Sequence, residues 1–397
     1  AFALASTYAS ANDLTPMESL GKELFFDKIS DPDWMSCATC HDPKAGFTGP
    51  VGGINKHGSV YRGAVPKRFG NRKPPSAAYA TLSPLLYYDE GEGLFIGGNF
   101  WDGRATGHRL GNPAADQALG PFLNPVEQNN ASMQAVCEQV AKSKYAALFE
   151  EVWGPNALDC SYAGISSTYD RIGLSIAAYE GSSEVNQFSS KYDAVLAGIA
   201  NLTAEEAWGL ELFEGKAMCS ACHPTGAGSP FTDFTYDNLG VPRNPDNPFY
   251  DMDEVYLDDG TPINPLGAAW VDLGLGGFLN TTDWAAYDEE NYGKQKVPTL
   301  RNVGKRKDPD FPKAYSHNGY FKSLKAIVHF YNTRDVKDTC PDPLFTGEKD
   351  ALKMDCWPAP EISDNVNTDE LGNLGLTDAE EDAIVAFMKT LSDGFQP

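Results

Sequence analysis

The chain has 397 residues, 31 basic and 55 acidic, for a formal charge of −24, and 42% of it is apolar. That length favours two or three domains over one core. The acidic balance excludes a nucleic-acid partner and suits a positively charged protein partner or plain solubility. No apolar run is long enough to cross a bilayer.

The opening Ala1–Ala11 is small, mildly apolar and lacks a basic start, so it reads as the remnant of a processed precursor rather than an intact signal peptide. Leu20-Gly21-Lys22-Glu23-Leu24-Phe25-Phe26 then leads into Cys37-Ala38-Thr39-Cys40-His41. Residues 51–76, rich in Gly, Pro and basic side chains, read as a structured loop. Helical patterns follow over 131–153 and 167–196. Thr203 and Glu206 predict a capping box ahead of Trp208–Gly215, which leads into a second run, Cys219-Ser220-Ala221-Cys222-His223. Residues 236–265, with many Asp, Asn and Pro, form another long loop, of the kind tied to a ligand or function. A helix is expected over 323–331. Thr377 and Glu380 repeat the capping device before the stripe Ile384, Phe387, Met388 and Leu391. The fold is therefore mainly α: two cytochrome c-like units with long loops between helices, expected at 1–165 and 166–397.

Eight cysteines are present. Four lie in the two C-x-x-C-H runs. The other four, Cys137, Cys160, Cys340 and Cys356, are even in number and widely spaced, as in exported proteins with disulfides. Sequence neighbours pair as Cys137–Cys160 and Cys340–Cys356. C-x-x-C-H joins two thioethers and an adjacent imidazole to one haem, so two copies in an oxidising context predict two covalent c-type haems rather than zinc sites. Cys37, Cys40, Cys219 and Cys222 attach them, and His41 and His223 are the proximal iron ligands.

The second face of each iron decides function. His57, His108, His317 and His329 remain, with Met218, Met354 and Met388 as thioether candidates. At this point the chain resembles the bacterial di-haem cytochrome c peroxidase family, including its MauG-like, protein-modifying branch. The resemblance is carried by Leu20–Phe26, Phe100-Trp101-Asp102-Gly103-Arg104-Ala105, Gln117-Ala118-Leu119-Gly120-Pro121 and Asn124-Pro125-Val126-Glu127. It continues through Asn238-Leu239-Gly240-Val241-Pro242, Val297-Pro298-Thr299-Leu300-Arg301-Asn302-Val303 and Tyr315-Ser316-His317-Asn318-Gly319.

The resemblance implies that the first haem is the peroxide site and that the second transfers electrons. Gln117 and Glu127 match the distal pocket: a carboxylate can move a proton between the peroxide oxygens, and an amide can orient the ligand without changing charge. Trp101 matches a tryptophan between the haems. Read alone, Glu127 is a solvated helix-start carboxylate and Trp101 a core aromatic. The second haem's sixth ligand is a Met in classical members and a Tyr in the MauG-like branch; the matching position here is Tyr331, with His329 on another helix face. A phenolate, being a hard anion, favours high iron oxidation states, whereas Met favours ferrous iron. His57 stands where classical members carry a removable ligand to the first haem. The family's calcium ion maps onto the Asn71 side chain with the carbonyls of Pro312 and Ala314.

Three functions compete. In the first, hydrogen peroxide generates a high-valent two-haem state that oxidises a partner protein. In the second, a classical cytochrome c peroxidase takes electrons from a small cytochrome. The third is a di-haem electron carrier, for which Gln117 and Glu127 would be useless. Tyr331 favours the first, in a periplasmic or otherwise exported protein.

Overall fold

A computed structural model describes residues 14–397, and the reading of 1–11 lies outside them. The longer helices, in chain order, are α1 (Pro16–Phe26), α2 (Pro113–Leu123), α3 (Met133–Ala141), α4 (Ala146–Trp153), α5 (Ile165–Glu180), α6 (Ala204–Glu214), α7 (Leu324–Thr333) and α8 (Asp378–Lys389). Named strands among the described residues are short antiparallel pairs: β1 (Tyr87–Asp89) with β2 (Leu94–Ile96), and β3 (Tyr236–Asp237) with β4 (Gln295–Lys296). The fold is mainly α, as expected.

Local chemistry explains the helix starts. α1, α6 and α8 each open on a Thr whose hydroxyl accepts from the third helical N–H, while a Glu there accepts from the cap backbone. The expected helix over 131–153 is broken at Lys142–Tyr145 into α3 and α4. That over 167–196 stops at Gly181 and restarts at Lys191 behind a Ser190–Asp193 capping box.

Two cores result. The first packs Leu20, Leu24 and Phe25 of α1 against Ile172, Ile176 and Tyr179 of α5. The second packs Leu212 and Phe213 of α6 against Ile384 and Phe387 of α8. Because α5 belongs to the first core, the expected boundary at 165–166 falls one helix too early; the first core extends to Val185.

The two cores are built alike. A Cβ on Gly21 of α1 would stand 1.8 Å from the Ser175 carbonyl oxygen of α5, and one on Gly209 of α6 would stand 1.9 Å from that of Ala383 of α8. In each unit a glycine lets two helix backbones touch just before the attachment turn. Neither obstacle is a side chain that can swing away. Gly209→Val is expected to cost about 1–3 kcal/mol or more through overpacking. Thermal unfolding together with haem content of the second unit checks it.

Candidate functional site

Each C-x-x-C-H run forms a tight turn closed by a backbone bond, from His41 N–H to the Cys37 carbonyl (3.0 Å) and from His223 N–H to that of Cys219 (2.9 Å). The turn brings two thiols and the following imidazole to the wall of one cavity. His41 Nδ1 lies 3.1 Å from the Phe47 carbonyl oxygen, and His223 Nδ1 lies 2.7 Å from that of Phe231. With Nδ1–H donating, Nε2 keeps its lone pair for a metal. Burial lowers the pKa of both imidazoles, which favours the neutral, ligating form. Both phenylalanines occupy the left-handed region, at φ 56° and 55°. A bulky residue rarely adopts it, and each is held there by burial in its unit's core.

The first cavity, about 220 Å³, is lined by Cys37, Cys40, His41, Gln117 and Glu127. The second, about 230 Å³, is lined by Cys219, Cys222, His223, Tyr331 and Met388. Trp101 is in the wall of both. It is 8% exposed, and its indole N–H donates to the Lys73 carbonyl at 2.8 Å.

Three buried lysines test what these cavities hold. Lys73 and Lys296 line both, and Lys313 lines the second. Their ammonium groups bond only hydroxyls and carbonyls: Thr48 and Pro74 for Lys73, Ser83, Gly97 and Phe234 for Lys296, Asn302 and Lys305 for Lys313. Desolvation pulls Lys73 down to about 8 and Lys296 to about 7. Buried cations without carboxylate partners suit an anionic guest. Propionate-bearing haems, attached at the two cysteine pairs, meet that requirement.

In the first cavity Glu127 follows the turn after α2, and its carboxylate accepts from Asn124 Nδ2 at 2.6 Å. Burial pushes its pKa up, while Arg104 and Asn124 pull it back. Gln117 reaches the same cavity from α2. His57 does not line it. Gly52–Asn55 folds into a helical turn, pinned where Asn55 Nδ2 donates to the Gly49 and Pro312 carbonyls. That leaves the His57 side chain 75% exposed, 3.6 Å from Asp246. His57 is therefore an exposed loop residue in this structure.

One residue of this cavity escaped sequence reasoning. Glu180, at the end of α5, is 4% exposed and lines the first cavity, and burial raises its carboxyl to about 8. Between the ordinary carboxylate value of 4.5 and about 8 the unfolded chain has released this proton and the folded chain has not. Stability therefore falls as pH rises through that window. Glu180→Gln is expected to stabilise the holoprotein by on the order of 2 kcal/mol at pH 7.5 and by little at pH 4; denaturant titrations at the two pH values measure it.

In the second cavity Tyr331, on α7, has its phenol pKa raised by burial, with Cys219, Cys222 and Asp237 adding to the rise. His329 is occupied elsewhere: Nδ1 lies 2.8 Å from Glu381, and Lys337 Nζ lies 2.7 Å from Nε2. Met354 is exposed, and Met218 and Met388 both line the cavity. Of the residues named for calcium, Asn71 lines the first cavity and Ala314 the second, while the Pro312 carbonyl accepts from Asn55. Both expected disulfides are formed, Cys137–Cys160 and Cys340–Cys356, with Cα–Cα separations of 5.6 and 5.1 Å. No helix among the described residues is long and apolar enough to cross a membrane.

Comparison with known proteins agrees with this site. Residues 15–201 match the family model described as di-haem cytochrome c peroxidase. The chain is 33% identical over 386 residues to methylamine utilization protein MauG of Paracoccus denitrificans, covering 95% of this chain and 88% of that protein. It is 26% identical over 383 residues to cytochrome-c peroxidase IdrP2 of Denitromonas iodatirespirans, covering 95% and 81%. The crystal structure of the diheme peroxidase BthA from Burkholderia thailandensis superposes with a TM-score of 0.74 at 29% identity, covering 97% of this chain and 88% of that one. The twin attachment turns, the two cavities and these relatives agree: the chain belongs to the di-haem cytochrome c peroxidase family, whose members carry two haems and act with peroxide.

Proposed function

We propose that this chain is a MauG-like enzyme, which spends peroxide's oxidising power on a partner protein. The observation that carries the reading is Tyr331 in the wall of the second cavity, while His329 is tied to Glu381 and Lys337. When bound at the two cysteine pairs, the haems supply the peroxide-binding iron of the first unit and the electron-transferring iron of the second. His41 and His223 would hold the two irons, with Tyr331 a further ligand in the second unit. Glu127 would move a proton of peroxide, Gln117 would orient peroxide by hydrogen bonding, and Trp101 stands in the wall of both cavities. Glu127 and Gln117 speak against a pure electron carrier.

The competing reading, a peroxidase fed by a small cytochrome, draws on Met388, a thioether in the same cavity. Near-infrared magnetic circular dichroism of the ferric protein separates the two. A phenolate signature supports the proposal; a Met–Fe charge-transfer band overturns it.

Two attachment sites carry a further expectation. Cys→Ala changes in either motif alone should leave one haem-staining band on a denaturing gel, and changes in both should remove it. The reading also includes export to the periplasm, where two disulfides persist, and a calcium ion on Asn71 with the Pro312 and Ala314 carbonyls. For calcium the local chemistry is divided. Asn71 is free of side-chain hydrogen bonds among the described residues, but buried Lys73 follows it by two positions and buried Lys313 lies between Pro312 and Ala314. Metal analysis after dialysis decides: one calcium per chain, lost in Asn71→Ala, supports the site, and none refutes it.

A further inference from the structure

A third, smaller core lies apart from both cavities, built from Leu86, Phe95, Tyr236, Leu275 and Leu279. Against it pack Tyr88, Trp284 and Tyr287, all partly exposed. Tyr88 of β1 pairs across the hairpin with Phe95 of β2, ring centroids 5.0 Å apart. Tyr287 stacks at a tilt on Tyr88 with centroids 4.5 Å apart, and Trp284 meets Phe95 edge-on at 5.5 Å. The inner end of the cluster is Tyr236. It pairs across β3–β4 with Lys296, whose backbone N–H donates to the Trp101 carbonyl at 2.8 Å. Its hydroxyl lies so close to Gly103, two residues beyond Trp101, that a Cβ there would come within 2.4 Å. The cluster thus runs from Tyr236, beside the backbone next to Trp101, to the surface.

Their hydrogen bonds differ in a way that matters for oxidation. The Tyr236 phenol donates to the Gly97 carbonyl at 2.6 Å, and a carbonyl is no base, so this residue has nowhere to lose its proton. Among the described residues, the phenols of Tyr88 and Tyr287 have no hydrogen-bond partner, and both rings reach solvent, where water can take the proton. Packing alone would be served by Phe at either position.

We propose that this cluster is a second electron-donation site: Tyr88, Tyr287 and Trp284 pass electrons inward past Phe95 and Tyr236 toward Trp101, and small phenolic reductants restore them from solvent. The proposal rests on the peroxide reading above, since peroxide is the oxidant. Its balance is complete. Hydrogen peroxide takes two electrons and two protons and becomes two waters. Each tyrosine gives one electron and its phenolic proton, leaving a phenoxyl radical. With no reductant present, the stacked Tyr88 and Tyr287 radicals join by one carbon–carbon bond between ortho positions, and the displaced ring protons return to the oxygens. The net change is the loss of two hydrogens per coupled pair.

The test treats the two-haem protein with one equivalent of peroxide and no partner, then maps peptides by mass and records dityrosine fluorescence. A Tyr88–Tyr287 link, absent from Tyr88→Phe and from Tyr287→Phe, is expected. The double variant should react with peroxide at the wild-type rate, yet its oxidised spectrum should return to rest several-fold more slowly. p-Cresol should speed that return in wild type and suppress the link. A wild type that reacts with peroxide, stays unmodified at Tyr88, Trp284 and Tyr287, and returns no faster than the double variant overturns the proposal alone. No spectral response to peroxide overturns the peroxide reading and the proposal with it.

Discussion

Glu127→Gln slows the first spectral change after peroxide mixing by about a hundredfold or more, the scale of a lost acid–base group, while both haems stay attached. The carboxylate opens into the first cavity, and its hydrogen bond from Asn124 would hold an amide in nearly the same place. The change therefore removes proton transfer more than shape. The pH profile gives a second reading. To take a proton from peroxide the carboxyl must be ionised, so the rate should fall as pH drops through its pKa. Burial raises that pKa, which places the acid limb above the ordinary carboxylate range. In Glu127→Gln the limb should vanish. Stopped-flow rates from pH 4 to 8 measure both effects, and an unchanged rate constant removes Glu127 from the assignment.

Tyr331→Met raises the second haem's midpoint potential by a few tenths of a volt, within the roughly 0.8 V that axial ligands span. The cause is the exchange of a hard anionic oxygen for a neutral thioether, which favours ferrous iron. The variant should accept electrons from a small reduced cytochrome in steady state and lose oxidation of a partner protein. Tyr331→His should keep a low-spin second haem and also impair partner oxidation. Spectroelectrochemistry of the three proteins is the measurement. A potential that does not move in Tyr331→Met shows that the phenol is no ligand and brings Met388 forward.

Much of this arrangement was readable from the chain because short-range rules dictate it. C-x-x-C-H places two attachment thiols and one ligating imidazole on one turn, Thr-x-x-Glu starts a helix, and cysteines close in sequence found each other. What stayed hidden depends on distant packing. Glu180 closes an amphipathic helix, where a carboxylate ordinarily meets water; only the contact of α5 with the first cavity buries it. Lys73, Lys296 and Lys313 read as surface cations, and their enclosure is visible only once both units are assembled. Phe47 and Phe231 stand six and eight residues after their histidines, so no common spacing marks them as partners. His57 was left between two readings, iron ligand and loop residue, for the converse reason. A glycine-rich loop looks free to reach the iron until Asn55 fastens it.

The left-handed phenylalanines have one more consequence. Each proximal imidazole donates to a peptide carbonyl rather than to a carboxylate, at 3.1 Å in the first unit and 2.7 Å in the second, so neither ring gains the added basicity that a carboxylate partner would give. The two units thus share the kind of proximal partner. A large difference in potential or reactivity between the two haems then points first to the other residues of each cavity and the charges around them. Swapping those residues between the units is then an interpretable experiment, since the proximal partner is of the same kind in both.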